Sequence, residues 1–357
     1  MAMTGKERVL AAAGRKKADR FPKSLRFTKE ALDDLLALTG KSGKQELFDY
    51  LGIDYRWIGV PFKGPENRSQ VTLGGEGYDF WGCYNKAIKN NFNTYYEITY
   101  HPLGQMKTVQ EIENYDWPDL DWWDYDAIPG LIKAEKQSDD TAIMFFAGGA
   151  FESPWYMRGM EQFLMDIYDE PEIAEAISRK VAEIYYQRAM RVIEAADGMI
   201  DIIGSGGDIG GQNALMLSPG KWRKHIKPYS AKLITPFKEM GFRTFYHSDG
   251  AITPVIDDFI GMGLDILDPI QVGAAGMTPE ELFPAFGDRL SFHGAIDEVE
   301  LLPNASPDEV YAETQRIMGI LGGNNGYIVS PTHQVQGDTS PENILAICRA
   351  VDEYRKD

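Results

Sequence analysis

Glu152 in GGAFESPW, Asp208 in GSGGDIGGQ, His247 and Asp249 in FYHSDG, His293 in SFHGAID and His333 in VSPTHQ each fall at or just after the end of a short β-rich run. Three of the 5 histidines in the chain are in this set, whereas His101 and His225 lie elsewhere. Residues two apart on an extended backbone project to one face, so His247 and Asp249 can reach a common point. His333, distant in sequence, would complete a set of two imidazoles and a carboxylate, a donor mixture that suits Zn²⁺ with an open coordination position. The same trio could do acid–base work without a metal, and the residue types leave both possibilities open. Asp208, Glu152 and His293 are the candidates for orienting a substrate or moving a proton, with Asp297 behind His293. Taken singly, each has a plainer explanation, since an Asp beside a Gly commonly caps a helix or forms a turn. Their convergence from separate strands is what argues for a site.

Convergence requires that the runs carrying these residues be neighbours. Eight runs read as strands: 22–27, 53–60, 142–148, 199–204, 242–247, 265–270, 289–294 and 326–330. Between the later ones, 160–168, 171–196, 219–240, 251–262, 278–286 and 306–321 read as helices. Short apolar runs alternating with helices argue an α/β protein with a parallel sheet. Eight of them argue closure into a (β/α)8 TIM barrel, whose chemistry sits at the carboxyl ends of the strands. Residues 61–141 do not fit the repeat and read as an inserted β-rich segment between strands 2 and 3, a wall or lid at the barrel mouth. Its Trp81, Tyr84, Tyr95 and Tyr96 would suit an aromatic or sugar ring, or would simply form the core of the lid. With no internal repeat or low-complexity tail, 1–357 reads as a single domain.

Composition narrows the partners. The 36 Lys and Arg against 54 Asp and Glu leave a net charge of −18, which repels phosphate backbones and argues against nucleic acid. No stretch approaches the roughly 18 apolar residues of a membrane span, and the N-terminus lacks a signal-peptide pattern. Cys83 and Cys348 are the only cysteines; no motif joins them, and a cytoplasmic location is expected. GSGGDIGG lacks the lysine and the spacing of phosphate loops and reads as a turn presenting Asp208 and Gln212. Trp155, Tyr156 and Arg158 either line the pocket or pack the next helix, and Cys348 reads as core.

The opening TGKERVLAA…ADRFP, HPLG at 101–104, the GAFE…RGMEQFLMDIYDEPE run, SPGKWRKHIKPY, FYHSDG, LSFHGAID and the closing THQVQGDTSPENILA together resemble the uroporphyrinogen decarboxylase superfamily over nearly the whole chain. The resemblance implies a (β/α)8 barrel, commonly a homodimer, with one of two chemistries. The decarboxylases carry an arginine-rich signature of the form MRQAGRY after the first strand; here the stretch reads SLRFTKEALDD, with only Arg26 in a comparable place. A substrate bearing eight carboxylates would meet a strongly acidic protein without its cationic clamp. The other branch comprises cobamide-dependent methyltransferases, whose thiol-methylating members hold zinc by His-x-Cys and a later Cys. His247-Ser248-Asp249 matches the first motif with Asp249 in place of Cys, and His333 falls where the second Cys is expected.

The resemblance therefore implies a methyltransferase component that moves a methyl group between a small, methoxylated substrate and a corrinoid carried on a partner protein. Zinc held by His247, Asp249 and His333 would act as Lewis acid. Two other readings stand beside it: decarboxylation of uroporphyrinogen or another carboxylate, and a non-catalytic barrel that only binds a ligand.

Overall fold

The computed structural model describes residues 2–68, 75–90, 92, 94–136 and 141–354. Numbered along the chain, the strands are β1 (Tyr55–Ile58), β2 (Gly77–Tyr78), β3 (Tyr84–Lys89), β4 (Thr94–Tyr100), β5 (Ala142–Gly149), β6 (Ile202–Gly206), β7 (Arg243–His247), β8 (Ile266–Ile270), β9 (Ser291–Ile296) and β10 (Tyr327–Pro331). Seven of them form one parallel sheet in the order β1-β5-β6-β7-β8-β9-β10. The strands β6, β8, β9 and β10 are buried along their whole length. Both faces of each strand are covered, which is why they appear as continuous apolar runs and not as alternating ones.

The sheet curls into a TIM-barrel-like fold, and the run at 22–27 occupies the gap between its edges. On one side the Ser24 amide donates to the Val329 carbonyl at 2.9 Å and the Val329 amide to the Pro22 carbonyl at 2.9 Å. On the other, the Asp54 amide donates to the Lys23 carbonyl at 3.0 Å. This segment makes only isolated bridges, Lys23↔Val329 and Phe27↔Val335, and is not the full strand expected from its composition. Pro22 has no amide hydrogen to offer a ladder.

The expected helices at 160–168, 171–196, 278–286 and 306–321 appear as Met160–Asp169, Pro171–Ala196, Pro279–Phe286 and Pro307–Leu321. The run at 219–240 is three helices, Pro219–His225, Lys227–Lys232 and Thr235–Glu239. Pro228 and Pro236 each start a new helix, because a proline cannot donate to the carbonyl four residues back.

The insertion forms a separate antiparallel sheet, β2-β3-β4. Its base packs on the segment after β5: the Leu103 amide donates to the Met157 carbonyl at 2.9 Å, and His101 Nδ1 meets the Tyr156 carbonyl at 2.6 Å. Arg158, buried, donates to the Leu103 and Met106 carbonyls at 2.6 and 2.7 Å and pairs with Asp166 at 2.7 Å. At the far end of the hairpin, the Phe92 carbonyl lies so near Gly337 that a Cβ there would sit 2.9 Å from it. The insertion thus reaches from the β5 loop to the β10 loop. Trp81 is buried inside it, against Tyr185 and Trp117, so this residue is lid core and does not face a ligand.

Candidate active site

Parallel register sets the first contact. His247 closes β7 and is the register partner of Asp268 on β8, so their side chains lie side by side on one face. His247 Nδ1 donates to Asp268 Oδ2 at 2.6 Å. From the other side, on β9, His293 Nδ1 donates to Asp268 Oδ1. The second nitrogen of His293, Nε2, accepts from the Tyr55 hydroxyl of β1 at 2.9 Å. Asp268, His293 and Tyr55 are all nearly inaccessible to solvent. Burial alone would raise the Asp268 carboxyl, but the two imidazoles overcome it and hold Asp268 well below the usual carboxylate range.

Beyond this buried chain lies the open end of the barrel. The loop after β6 and the loop after β7 approach backbone to backbone: a Cβ on Gly250, whose φ is +88°, would lie 2.4 Å from the Gly210 carbonyl carbon. Only glycine allows that approach. The glycines of GSGGDIGG therefore serve loop contact, and the contact carries Asp208 to the Asp249 amide, which donates to Asp208 Oδ1 at 2.8 Å. His247 Nε2 lies 3.7 Å from the same oxygen. Asp208, His247 and Asp249 each offer one donor atom, all within 4.8 Å of one another. His247 presents Nε2 because Nδ1 is committed to Asp268. This carboxylate–histidine arrangement fixes the ring and favours a metal on the free nitrogen.

The charges are tightly coupled. Burial would lower the His247 imidazolium, but the hydrogen bond and charge of Asp268, with Asp208 and Asp249 beyond, push it up to about 9. Burial raises Asp249 to about 6, with His247 pulling the other way. Glu152, at the start of the helix Glu152–Arg158, is pushed up to about 7 by burial and then by Asp208, while the Tyr156 hydroxyl donates to its carboxylate at 3.0 Å and opposes the rise.

Next to this cluster, a cavity of about 520 Å³ is lined by Gln212, Asp249, Gln271, Gly273, Asp297, Glu298, Val299, Glu300, Thr332 and His333. These residues follow five successive strands, β6 to β10. Among the described residues the wall contains four carboxylates and neither lysine nor arginine. Arg26 is placed over the Trp57 ring, 4.5 Å from its centre.

Of the residues proposed from the sequence as metal ligands, His247 and Asp249 are together, and Asp208 is the third close donor. His333 is exposed on the β10 loop, with its ring centre 6.4 Å from that of His247. Glu152 sits within electrostatic reach of both Asp208 and His247. His293 does not fit the role of a substrate-facing acid, because both its ring nitrogens are engaged and it is buried beneath His247. Arg158 is a structural tie to Asp166, and Cys348 lies in the core. Asp268, Gln271 and Tyr55 were not singled out from the sequence. A single aspartate inside the otherwise apolar strand ILDPI is the signal that would have found Asp268.

The uroporphyrinogen decarboxylase family model matches residues 97–354. The chain belongs to that family. Among its relatives, the uroporphyrinogen decarboxylase of Geotalea daltonii is 22% identical over 259 residues, covering 70% of this chain and 71% of that protein. The uroporphyrinogen decarboxylase of Trichlorobacter lovleyi is 24% identical over 259 residues, covering 68% of each. A methyltransferase from Methanosarcina mazei shares the fold, with a TM-score of 0.73 over 98% of this chain and 99% of that one, at 18% identity. The methyltransferase thus shares the fold over nearly the whole chain, and the decarboxylases align over about 70% of it. Among the described residues, no helix is long and apolar enough to cross a membrane.

Proposed function

We propose that this protein is the methyltransferase component of a corrinoid-dependent system, acting on a small methoxylated substrate. The observation that carries the reading is the cluster of Asp208, His247 and Asp249, with Asp268 fixing the histidine from behind. One imidazole nitrogen and two carboxylate oxygens within 4.8 Å suit a divalent cation, zinc by donor type, with His333 as a fourth donor. The bound cation would supply Lewis-acid stabilisation of negative charge on the ether oxygen.

The remaining chemistry falls to the chain. In the net reaction the methyl carbon leaves oxygen, and the bonding electron pair stays on oxygen. A Co(I) corrinoid carried on a partner protein would supply the electron pair for the new bond to carbon. The oxygen takes one proton. Glu152, pushed up to about 7, keeps a substantial protonated fraction near neutral pH and is the group suited to deliver it. Asp268 and His293 hold His247 in one tautomer. The decarboxylase reading finds little support in the pocket, whose wall among the described residues has four carboxylates and no lysine or arginine. Arg26 is within electrostatic reach of Asp249 and His333, where a polyanion would call for a cluster of cations.

The test is methyl transfer from a methoxylated compound to free Co(I) cobalamin under anaerobic conditions, using chelator-treated and zinc-reloaded protein. Loss of transfer on chelation and its return with zinc supports the reading. Full activity in metal-free protein, or decarboxylation of uroporphyrinogen with no methyl transfer, overturns it.

A further inference from the structure

The cavity beside the donor cluster also bears on what the methylated substrate is, taking the methyltransferase reading as given. Its polar groups are only partly used by the protein. Gln271 Oε1 accepts from the Gly250 amide at 2.6 Å, which leaves the two amide hydrogens of that side chain unpaired among the described residues. Thr332 Oγ1 accepts from the Glu298 amide at 3.1 Å and keeps its own hydrogen to donate. The Glu298 and Asp249 carboxylates line the same space, and neither receives a side-chain or backbone hydrogen bond among the described residues. His333 adds a ring N–H, its other nitrogen being the one offered to the cation. Donors and acceptors therefore alternate around one cavity.

Among the described residues no phenylalanine, tyrosine or tryptophan lines this cavity, and Val299 is its one branched apolar residue. An aryl methyl ether would leave the amide, hydroxyl and carboxylates buried without partners, at a substantial cost. A benzoate would in addition set its carboxylate against Asp249, Asp297, Glu298 and Glu300. Hydroxyl groups satisfy the wall in both directions, because each donates once and accepts twice.

We infer that the methyl ether taken by this site is polyhydroxylated and uncharged: an O-methyl sugar or cyclitol whose vicinal hydroxyls are read by Gln271, Glu298 and Thr332. The donor cluster at Asp249 then stands at the edge of the ring that carries the methoxy group. The aromatic residues of the insertion contribute no side chain to the ring-binding wall.

Binding is measured by calorimetry on the full-length protein with zinc present and no corrinoid, using 3-O-methylglucose, an O-methyl inositol and 4-methoxybenzoate as probes. The expected result is saturable binding of at least one polyol ether and none of the benzoate. Glu298→Gln and Gln271→Glu keep side-chain size, and the second preserves the acceptor for the Gly250 amide. Each is expected to weaken polyol binding about tenfold, the effect of one hydrogen bond to a charged or buried partner. Binding of the methoxybenzoate in preference to every polyol ether, or polyol binding that neither variant alters, overturns the assignment. The two readings separate cleanly. Polyol binding without methyl transfer sinks the reaction and leaves the ligand class, whereas transfer from methoxybenzoate alone sinks the ligand class and leaves the reaction.

Discussion

Asp268 accepts from His247 at 2.6 Å with one carboxylate oxygen and from His293 with the other, so a single buried carboxylate on β8 orients imidazoles contributed by the strands on either side of it. A carboxylate can only accept, and both histidines must therefore donate from Nδ1. For His247 this leaves Nε2 facing Asp208 and Asp249. For His293 it leaves Nε2 facing inward to Tyr55. One residue thus divides two chemically identical side chains into an outward-facing ligand and an inward-facing brace.

Replacing Asp268 by Asn keeps the size of the side chain and removes one of its two acceptors. His247 then loses its fixed tautomer, and metal affinity is expected to fall about 10- to 100-fold, as for other second partners of metal-bound histidines. Competition titration with a chromophoric chelator reads this directly. An unchanged zinc affinity in D268N would show that His247 is oriented by something else.

The pH dependence of the metal-free protein has a definite sign. His247 is pushed up to about 9, above the ordinary histidine value of 6.5. Its ion pair with Asp268 therefore stabilises the fold fully below about 6.5, and that contribution is lost as pH rises through about 9. The melting temperature of chelator-treated protein should fall across this window, and it should fall less in His247→Gln. Zinc has the opposite linkage, since it needs the deprotonated imidazole and an ionised Asp249, so its affinity should rise from pH 6 to pH 9. A zinc affinity that is flat over that range would rule out His247 as a ligand.

Seven of the eight barrel strands were legible because buried parallel strands announce themselves as apolar runs, and His247 with Asp249 was legible because a two-residue spacing at a strand end needs no knowledge of neighbours. Asp268 was not. It acts through its register with His247 across β7 and β8, and register between strands some twenty residues apart is not written in either strand. Gly210 and Gly250 looked like independent turns, and their common purpose appears only when the two loops are seen in contact. The run 22–27 was legible as a member of the barrel, but its reduction to isolated bridges was not, since its pairing with β10 and β1 depends on partners about three hundred and about thirty residues away, respectively.

The tie between the insertion and the barrel gives a stability test independent of any ligand. Arg158 and Asp166 form a buried pair, and Arg158 also holds the Leu103 and Met106 carbonyls. Arg158→Met leaves Asp166 as a buried charge without its partner, a change expected to cost about 3–5 kcal/mol. The double variant Arg158→Met, Asp166→Leu removes both charges and should recover much of that loss. Urea unfolding followed by circular dichroism measures both, and equal stability of the two variants would mean that the carbonyl contacts, and not the ion pair, carry the effect.

Glu152 provides the sharpest test of the proton's source. It is pushed up to about 7, and a general acid must be protonated to act. Methyl transfer limited by that step should therefore fall as pH rises through about 7. Glu152→Gln cannot donate in the same way and should lower kcat by about 10²- to 10⁴-fold, with a smaller effect on KM. Tyr156→Phe should act in the subtler direction. The Tyr156 hydroxyl donates to the Glu152 carboxylate at 3.0 Å and favours its ionised form, so removing it should raise the Glu152 pKa further and move the alkaline limb of the rate profile to higher pH. A limb that stays where it is in Tyr156→Phe, or that survives unaltered in Glu152→Gln, would assign the proton to another group.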